Sequence, residues 1–215
     1  MKPTQPITAS DEQVRALLVR YACPVPFHEV RTRFLGNIAS PAIGVSPMKM
    51  VESLWGGKLP EFDTMDDANE LIGALIMGLW NQLTKHQDRN APFRLTRSSI
   101  AATREGLATL ALVRRQELDG FVEGLFGQEE IVDIPERAHR GLGDLADMRA
   151  LFAATAELAT DETKPVQLKE METTLRLLRE MTKNAEHEMH AIVLSCKRAR
   201  KLMLSGRPAK KPTIH

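Results

Sequence analysis

The amino-acid sequence predicts an all-α protein, a multi-helix bundle with a long C-terminal helix. Three observations carry this prediction. Apolar residues recur at intervals of three and four behind good helix N-caps. No stretch alternates β-branched and polar residues between turn pairs, and aromatic residues make up only 5% of the chain, so the usual strand signature is missing. Residues 167–205 contain neither proline nor glycine and carry a heptad pattern.

The elements follow in order. Ser10 caps a helix reaching about Tyr21, with Val14, Leu17 and Leu18 on one face. Pro24 and Pro26 interrupt the chain, and a second helix covers about Phe27 to Ile38. Ser46 followed by Pro47 starts a short helix that carries Met50, Val51 and Leu54 and stops at Gly56-Gly57. Thr64 is the clearest cap: its hydroxyl is placed to accept from the Asp67 amide, and Asp66, Asp67 and Glu70 sit in the positive first turn. The helix after it has apolar residues on more than one face, from Leu71 to Leu83, so it is expected in the core with Trp80 buried and Lys85 exposed. Gly73 and Gly78 each cost about 1 kcal/mol in a helix and point to a close neighbour. Residues 85–97 form a polar connection. A helix is then expected from about Ser98 to Phe126, with a break near Gly106. Another runs from Pro135 to about Leu142, and a further one, capped by Asp144, to about Thr160.

The last helix holds the most regular pattern. Positions 168, 171, 175, 178, 182, 185, 189, 192, 196, 199 and 203 step by three and four, and only Thr182 among them is polar. Such a seam must be covered, by the body of the protein or by a second copy of the chain. The domain plan is therefore a helical unit over 1–162, the heptad helix over 163–205 and a basic tail over 206–215.

Composition narrows the function classes. The chain has 215 residues, 43% of them hydrophobic, enough for a real core. Lys and Arg number 29 against 28 Asp and Glu, so any attraction to nucleic acid has to be local. Two distant cysteines, Cys23 and Cys196, argue for a reducing, cytoplasmic setting. No signal-peptide pattern and no membrane-spanning apolar run are present. The glycine loops of nucleotide sites, GxSxG and CxxC are all missing, so no catalytic residue is named and no cofactor is implied.

Two clusters are candidate sites. Glu186, His187 and His190 are spaced to share a metal on one helix. Met189 lies on the seam, however, which directs both histidines outward and favours a solvated face. The stretch Lys197, Arg198, Arg200, Lys201, Arg207, Lys210 and Lys211 carries no acid and could touch nucleic acid or an acidic partner. No aromatic residues are interleaved to stack on bases. The acidic group Glu61, Asp63, Asp66, Asp67 and Glu70 is explained by its place at a helix start.

One stretch is more specific. Phe34-Leu35, Val45-Ser46-Pro47, Leu54-Trp55-Gly56-Gly57-Lys58-Leu59-Pro60-Glu61-Phe62-Asp63, Asp66-Asp67-Ala68, Leu71 to Ile76 and Trp80-Asn81-Gln82-Leu83 together resemble the YecA/YgfB-like uncharacterised protein family. That family shows a helical hairpin, an FGGxxPEF turn, an acidic helix start and an LLxxLMxxxNxI-like helix. Gly120-Phe121-Val122-Glu123-Gly124-Leu125 resembles its later GFxxG helix. Met48 and Met50 stand where the family has tryptophan. Members often end in a cysteine-rich metal motif after a basic linker; here residues 206–212 look like the linker and no cysteine follows, so zinc binding is not implied. The resemblance implies a helical fold and transfers no activity to any residue.

The expected function is a non-catalytic helical module that binds another macromolecule, most simply a protein, with homodimerisation through the last helix and nucleic-acid contact through the tail as further partners. The alternatives are a metal-dependent enzyme with dispersed residues and a ribosome- or nucleic-acid-associated factor acting through the tail.

Overall fold

The computed structural model describes residues 9–42, 46–127, 133–161, 163 and 167–206. Helices α1 (Asp11–Arg20), α2 (Phe27–Ala39) and α3 (Pro47–Ser53) come first. Helix α4 (Met65–Ile72) runs on into a π-helical segment, Gly73–Trp80, then α5 (Asn81–Leu83) and a 3-10 turn, Thr84–Gln87. Helices α6 (Arg104–Phe126), α7 (Glu136–Thr160) and α8 (Leu168–Leu204) complete the chain. No strand occurs among the described residues.

Local chemistry sets several of these boundaries. Ser10 Oγ accepts from Gln13 N at 3.2 Å while the Gln13 side chain accepts from Ser10 N at 2.8 Å, a capping box that satisfies two free amides. Ser46 Oγ and Thr64 Oγ1 accept from Lys49 N and Asp67 N. Gly56 and Gly57 take φ of 75° and 99°, the left-handed region in which a Cβ is disfavoured, and so end the α3 turn.

Helices α2 and α6 lie so close that glycine is required between them. A Cβ on Gly36 would fall on the Phe121 carbonyl, and one on Gly124 would fall on the Arg33 carbonyl. One on Gly120 would come within 2.7 Å of Thr32 Oγ1. Around this contact Phe34, Leu35, Phe121 and Leu125 are completely buried. Arg33 bonds Glu29 on its own helix at 2.7 Å and Glu123 on α6 at 2.6 Å, tying the pair at its edge. Helix α7 folds back along α6, and α8 folds back along α7: Arg104 near the start of α6 donates to Asp161 O, and Arg137 near the start of α7 reaches Glu188. One core cluster includes residues from α1 through α8.

The structure corrects four details. Helix α6 starts at Arg104, not Ser98, because Thr103 takes the cap and accepts from Gly106 N at 3.1 Å. Gly106 therefore sits in the first turn and breaks nothing. Residues 136–160 form one helix that passes through Gly143 and Asp144 without a stop. Trp80 is half-buried, with its ring edge-on to Phe34 at 5.5 Å, while Lys85 is exposed as expected. Gly78 meets Ala9, its virtual Cβ 2.9 Å from that side chain, so the close neighbour is the chain entering α1.

The heptad seam is covered within one chain. Leu175, Leu178, Ala185, Met189, Ile192 and Cys196 are buried, and only the ends, Leu168 and Met203, are open. The helix is continuous past Thr182, whose hydroxyl donates to Leu178 O at 2.8 Å. A second copy docking through α8 would have to use the outer face or the ends. Leu175→Asp places a charge in this seam and is expected to cost about 3 kcal/mol or more in chemical denaturation with no change of mass in solution; a variant of native stability that dissociates from a larger species would contradict this packing.

Candidate functional site

Residues 88–97 cross the junction of α2, α6 and α8 as an irregular strap, and two carboxylates hold them there. Thr96 N donates to Glu117 Oε1 at 2.7 Å, and Leu95 N donates to Glu186 Oε1 at 3.0 Å. Glu117 is completely buried and paired with Arg114, whose guanidinium also donates to Thr96 O and, through Nε, to Thr182 Oγ1 at 3.1 Å. A buried ion pair is tolerated where further hydrogen bonds satisfy it in this way. Beneath the strap Phe93 and Leu95 are buried. Arg31 lies 4.9 Å over the Phe93 ring and donates to Arg94 O. His86 meets Phe93 edge-on at 5.2 Å, and its Nδ1 donates to Ala91 O at 2.8 Å.

Arg114 and Glu117 were not singled out from the sequence, although a signal was present. They share the apolar stripe of Leu107, Leu110, Leu118 and Phe121, where a charge has to find a partner.

The expected site residues separate. Glu186 accepts from Arg94 at 2.6 Å as well as from Leu95 N, so it is a clamp for the strap. His187 is exposed. His190 does not face solvent as the heptad frame implied: it is half-buried, with Nε2 3.3 Å from Arg89 O and Nδ1 buried without a partner. No group of three or more potential metal ligands occurs among the described residues. Arg200 is structural, donating to Ile38 O and Ser40 O at 3.0 Å and so capping the C-terminal end of α2, and to Gln87 Oε1. Lys197 donates to Gln87 O at 2.9 Å. Arg198 and Lys201 are exposed. Arg207, Lys210 and Lys211 lie outside the described residues. Cys23 and Cys196 are both free, and burial pushes the Cys196 thiol up to about 12, far from reactivity. Among the described residues no helix is long and apolar enough to cross a membrane.

A concavity lies elsewhere. A groove of about 560 Å³ opens between α1 and the junction of α4 with the π-helical segment, lined by Ala9, Gln13, Ala16, Leu17, Arg20, Glu70 and Ala74. Small residues in the lining, Ala9, Ala16 and Ala74, leave the space open where larger side chains would fill it. Arg20 closes one side, bonded to Asp67 at 2.7 Å and Glu70 at 3.3 Å. The acidic cluster thus serves partly as an anchor for α1; Asp67 is held below the usual carboxylate range, first by its bond from the Thr64 hydroxyl and also by Arg20. The two charged side chains of the lining, Arg20 and Glu70, are bonded to each other.

The segments that carry the family resemblance build corners and contacts. Trp55 Nε1 donates to Tyr21 O at 2.9 Å, and Phe62 packs edge-on against Tyr21 at 5.3 Å, so the glycine turn is pinned to the end of α1. Gly120 and Gly124 are the α6 side of the tight α2 contact. No family model, curated protein or solved structure matches the chain.

His86 gives the strap a pH signature. Burial lowers its pKa from the ordinary 6.5, reinforced by Lys85, Arg31 and His190 and opposed by the bond to Ala91 O. Below 6.5 the unfolded chain then binds more protons at this position than the folded one, so stability falls as pH drops. The urea midpoint is expected to decline between about pH 7 and pH 5, and His86→Gln is expected to flatten that decline; equal slopes for the two proteins would contradict the assignment.

Proposed function

We propose that this chain is a non-catalytic helical module that binds another protein, using the groove between α1 and the π-helical segment. The observation that carries the reading is the character of that groove. It is concave, floored by Ala9, Leu17 and Ala74, and bordered by polar groups already engaged with each other. An apolar helix face or extended segment suits such a surface, whereas a reaction would need convergent unsatisfied polar groups. Met77, three residues beyond Ala74 on the same segment, is 59% exposed and offers an adaptable apolar side chain. Membership in the YecA/YgfB-like family is part of the same proposal, supported by the Trp55 to Asp63 turn and the Gly120 to Leu125 segment. A cytoplasmic setting goes with it, since both cysteines are free thiols.

The test is a comparison of full-length proteins. Ala16 is exposed on the groove wall, so Ala16→Trp fills the space without entering the core. Proteins captured from native extract by the wild type are expected to fall by about tenfold or more with Ala16→Trp, at unchanged melting temperature. An identical capture profile would contradict the groove as the binding surface.

A further inference from the structure

A second surface, independent of the groove, has a different chemistry. The strap and its 3-10 turn carry Lys85, Arg89, Arg94 and Arg97, all exposed, against one acid, Asp88. The C-terminal turns of α8 bring Lys197, Arg198 and Lys201, also exposed, to the same place. The juxtaposition is fixed by bonds: Lys197 Nζ to Gln87 O at 2.9 Å, Arg200 to Gln87 Oε1 at 3.0 Å and His190 Nε2 to Arg89 O at 3.3 Å. Arg31 of α2 reaches the strap from below through Thr96 Oγ1 and Arg94 O. The nearby acids are largely occupied. Glu186 binds Arg94 and Leu95 N, Glu117 is buried against Arg114, and the Asp88 carboxylate accepts from Asn90 N. Asp11 of α1 and the buried Glu117 act on Arg31, opposed by Arg15. Lys85, Arg89, Arg97, Arg198 and Lys201 have no acidic partner among the described residues. These cations are held on one face of a chain whose net charge is only +1.

We propose that the face formed by the strap and the C-terminal turns of α8 binds the phosphate backbone of nucleic acid. Two features favour this over an acidic protein. Three of the four strap cations are arginine, whose planar fork suits phosphate oxygens. The apolar residues of the strap, Phe93 and Leu95, are buried, and exposed apolar side chains, Met203 and Leu204, occur only in the last turn of α8, so the strap itself offers no anchor of the kind that dominates protein interfaces. It offers no exposed aromatic either, so bases are not stacked or read, and binding is electrostatic and indifferent to sequence. His86 reports the local field: Lys85, Arg31 and His190 each act against its protonation.

The test uses the full-length protein and a fluorescein-labelled oligouridylate of about 20 nucleotides, with affinity measured by anisotropy from about 50 to 300 mM salt. Binding at low salt with a linear fall of log K against log salt is expected. The Lys85→Gln, Arg89→Gln, Arg97→Gln triple variant should bind about tenfold or more weakly and lose about 2 from the slope, at roughly 0.7 per phosphate contact on a single strand. These side chains are exposed and unpaired, so folding should be unaffected, which the melting temperature checks. In the wild type, the His86 resonances should report a rise in its pKa when oligonucleotide is added. A control triple at the other end of α8 and on α7, Arg176→Gln, Arg179→Gln and Arg140→Gln, should leave affinity and slope unchanged. The proposal is overturned by absence of binding at low salt, or by an equal loss in the control triple. It is also overturned if Arg207→Gln, Lys210→Gln, Lys211→Gln alone removes binding while the strap variant retains it, or if poly-glutamate of equal charge displaces the probe as well as unlabelled oligouridylate does.

Discussion

The approach of α2 to α6 is the constraint on which the rest of the molecule depends. Helices ordinarily pack 8–10 Å apart, separated by their side chains. At Gly36 and Gly124 there are none and backbone meets backbone, while Gly120 admits the side chains of Thr32 and Glu29. The close approach brings Arg33 within reach of Glu123 and completes the burial of Phe34, Leu35, Phe121 and Leu125. Both helices then serve as a platform: α2 carries Arg31 toward the strap, and α6 carries Arg114 and Glu117 beneath it. A shift of one helix by even an ångström would misplace donors that now sit 2.7 to 3.1 Å from their acceptors.

The strap illustrates how an irregular segment is made rigid without secondary structure. Its amides at Leu95 and Thr96 have no helix or sheet to bond to, and buried amides left unpaired are expensive. Two carboxylates from different helices, Glu186 and Glu117, accept them instead. The same arrangement neutralises two acids inside the fold and leaves Lys85, Arg89 and Arg97 facing outward without an acidic partner among the described residues. Charge patterning on the surface is in this sense a by-product of how the interior is satisfied, and it concentrates on a chain with almost no net charge.

What could be read from the sequence was local. The caps at Ser10, Ser46 and Thr64 act within three residues, and the heptad seam of α8 needs only its own periodicity; each is in place. Ser98, Ser99 and Thr103 are all acceptable caps for α6, and the choice falls to Thr103 once Glu117 and Arg114 hold Thr96 against α6. Gly143 and Asp144 read locally as a stop near Leu142, but both face solvent, and the buried Gly141 and Leu145 on either side carry α7 through. His190 was assigned to solvent from its own helix alone, whereas the strap arrives from a hundred residues earlier and covers it. The groove was illegible for the same reason, since its walls are Ala16 and Ala74, separated in sequence by two other helices. Gly120 and Gly124 were visible as a motif, but their role required knowing that Gly36 lies opposite.

Denaturation of a pair of glycine-to-alanine variants tests the central contact most directly. Gly143 lies in α7 with open space where a Cβ would go, so Gly143→Ala should stabilise the protein by about 0.5–1 kcal/mol through helix propensity. Gly124→Ala is chemically the same change, but its methyl would fall on the Arg33 carbonyl and must part the two helices, costing about 3 kcal/mol or more and lowering the urea midpoint accordingly. Opposite signs for the two variants are the predicted result; a Gly124→Ala protein as stable as the wild type would show that α2 and α6 are not in backbone contact and would contradict the account.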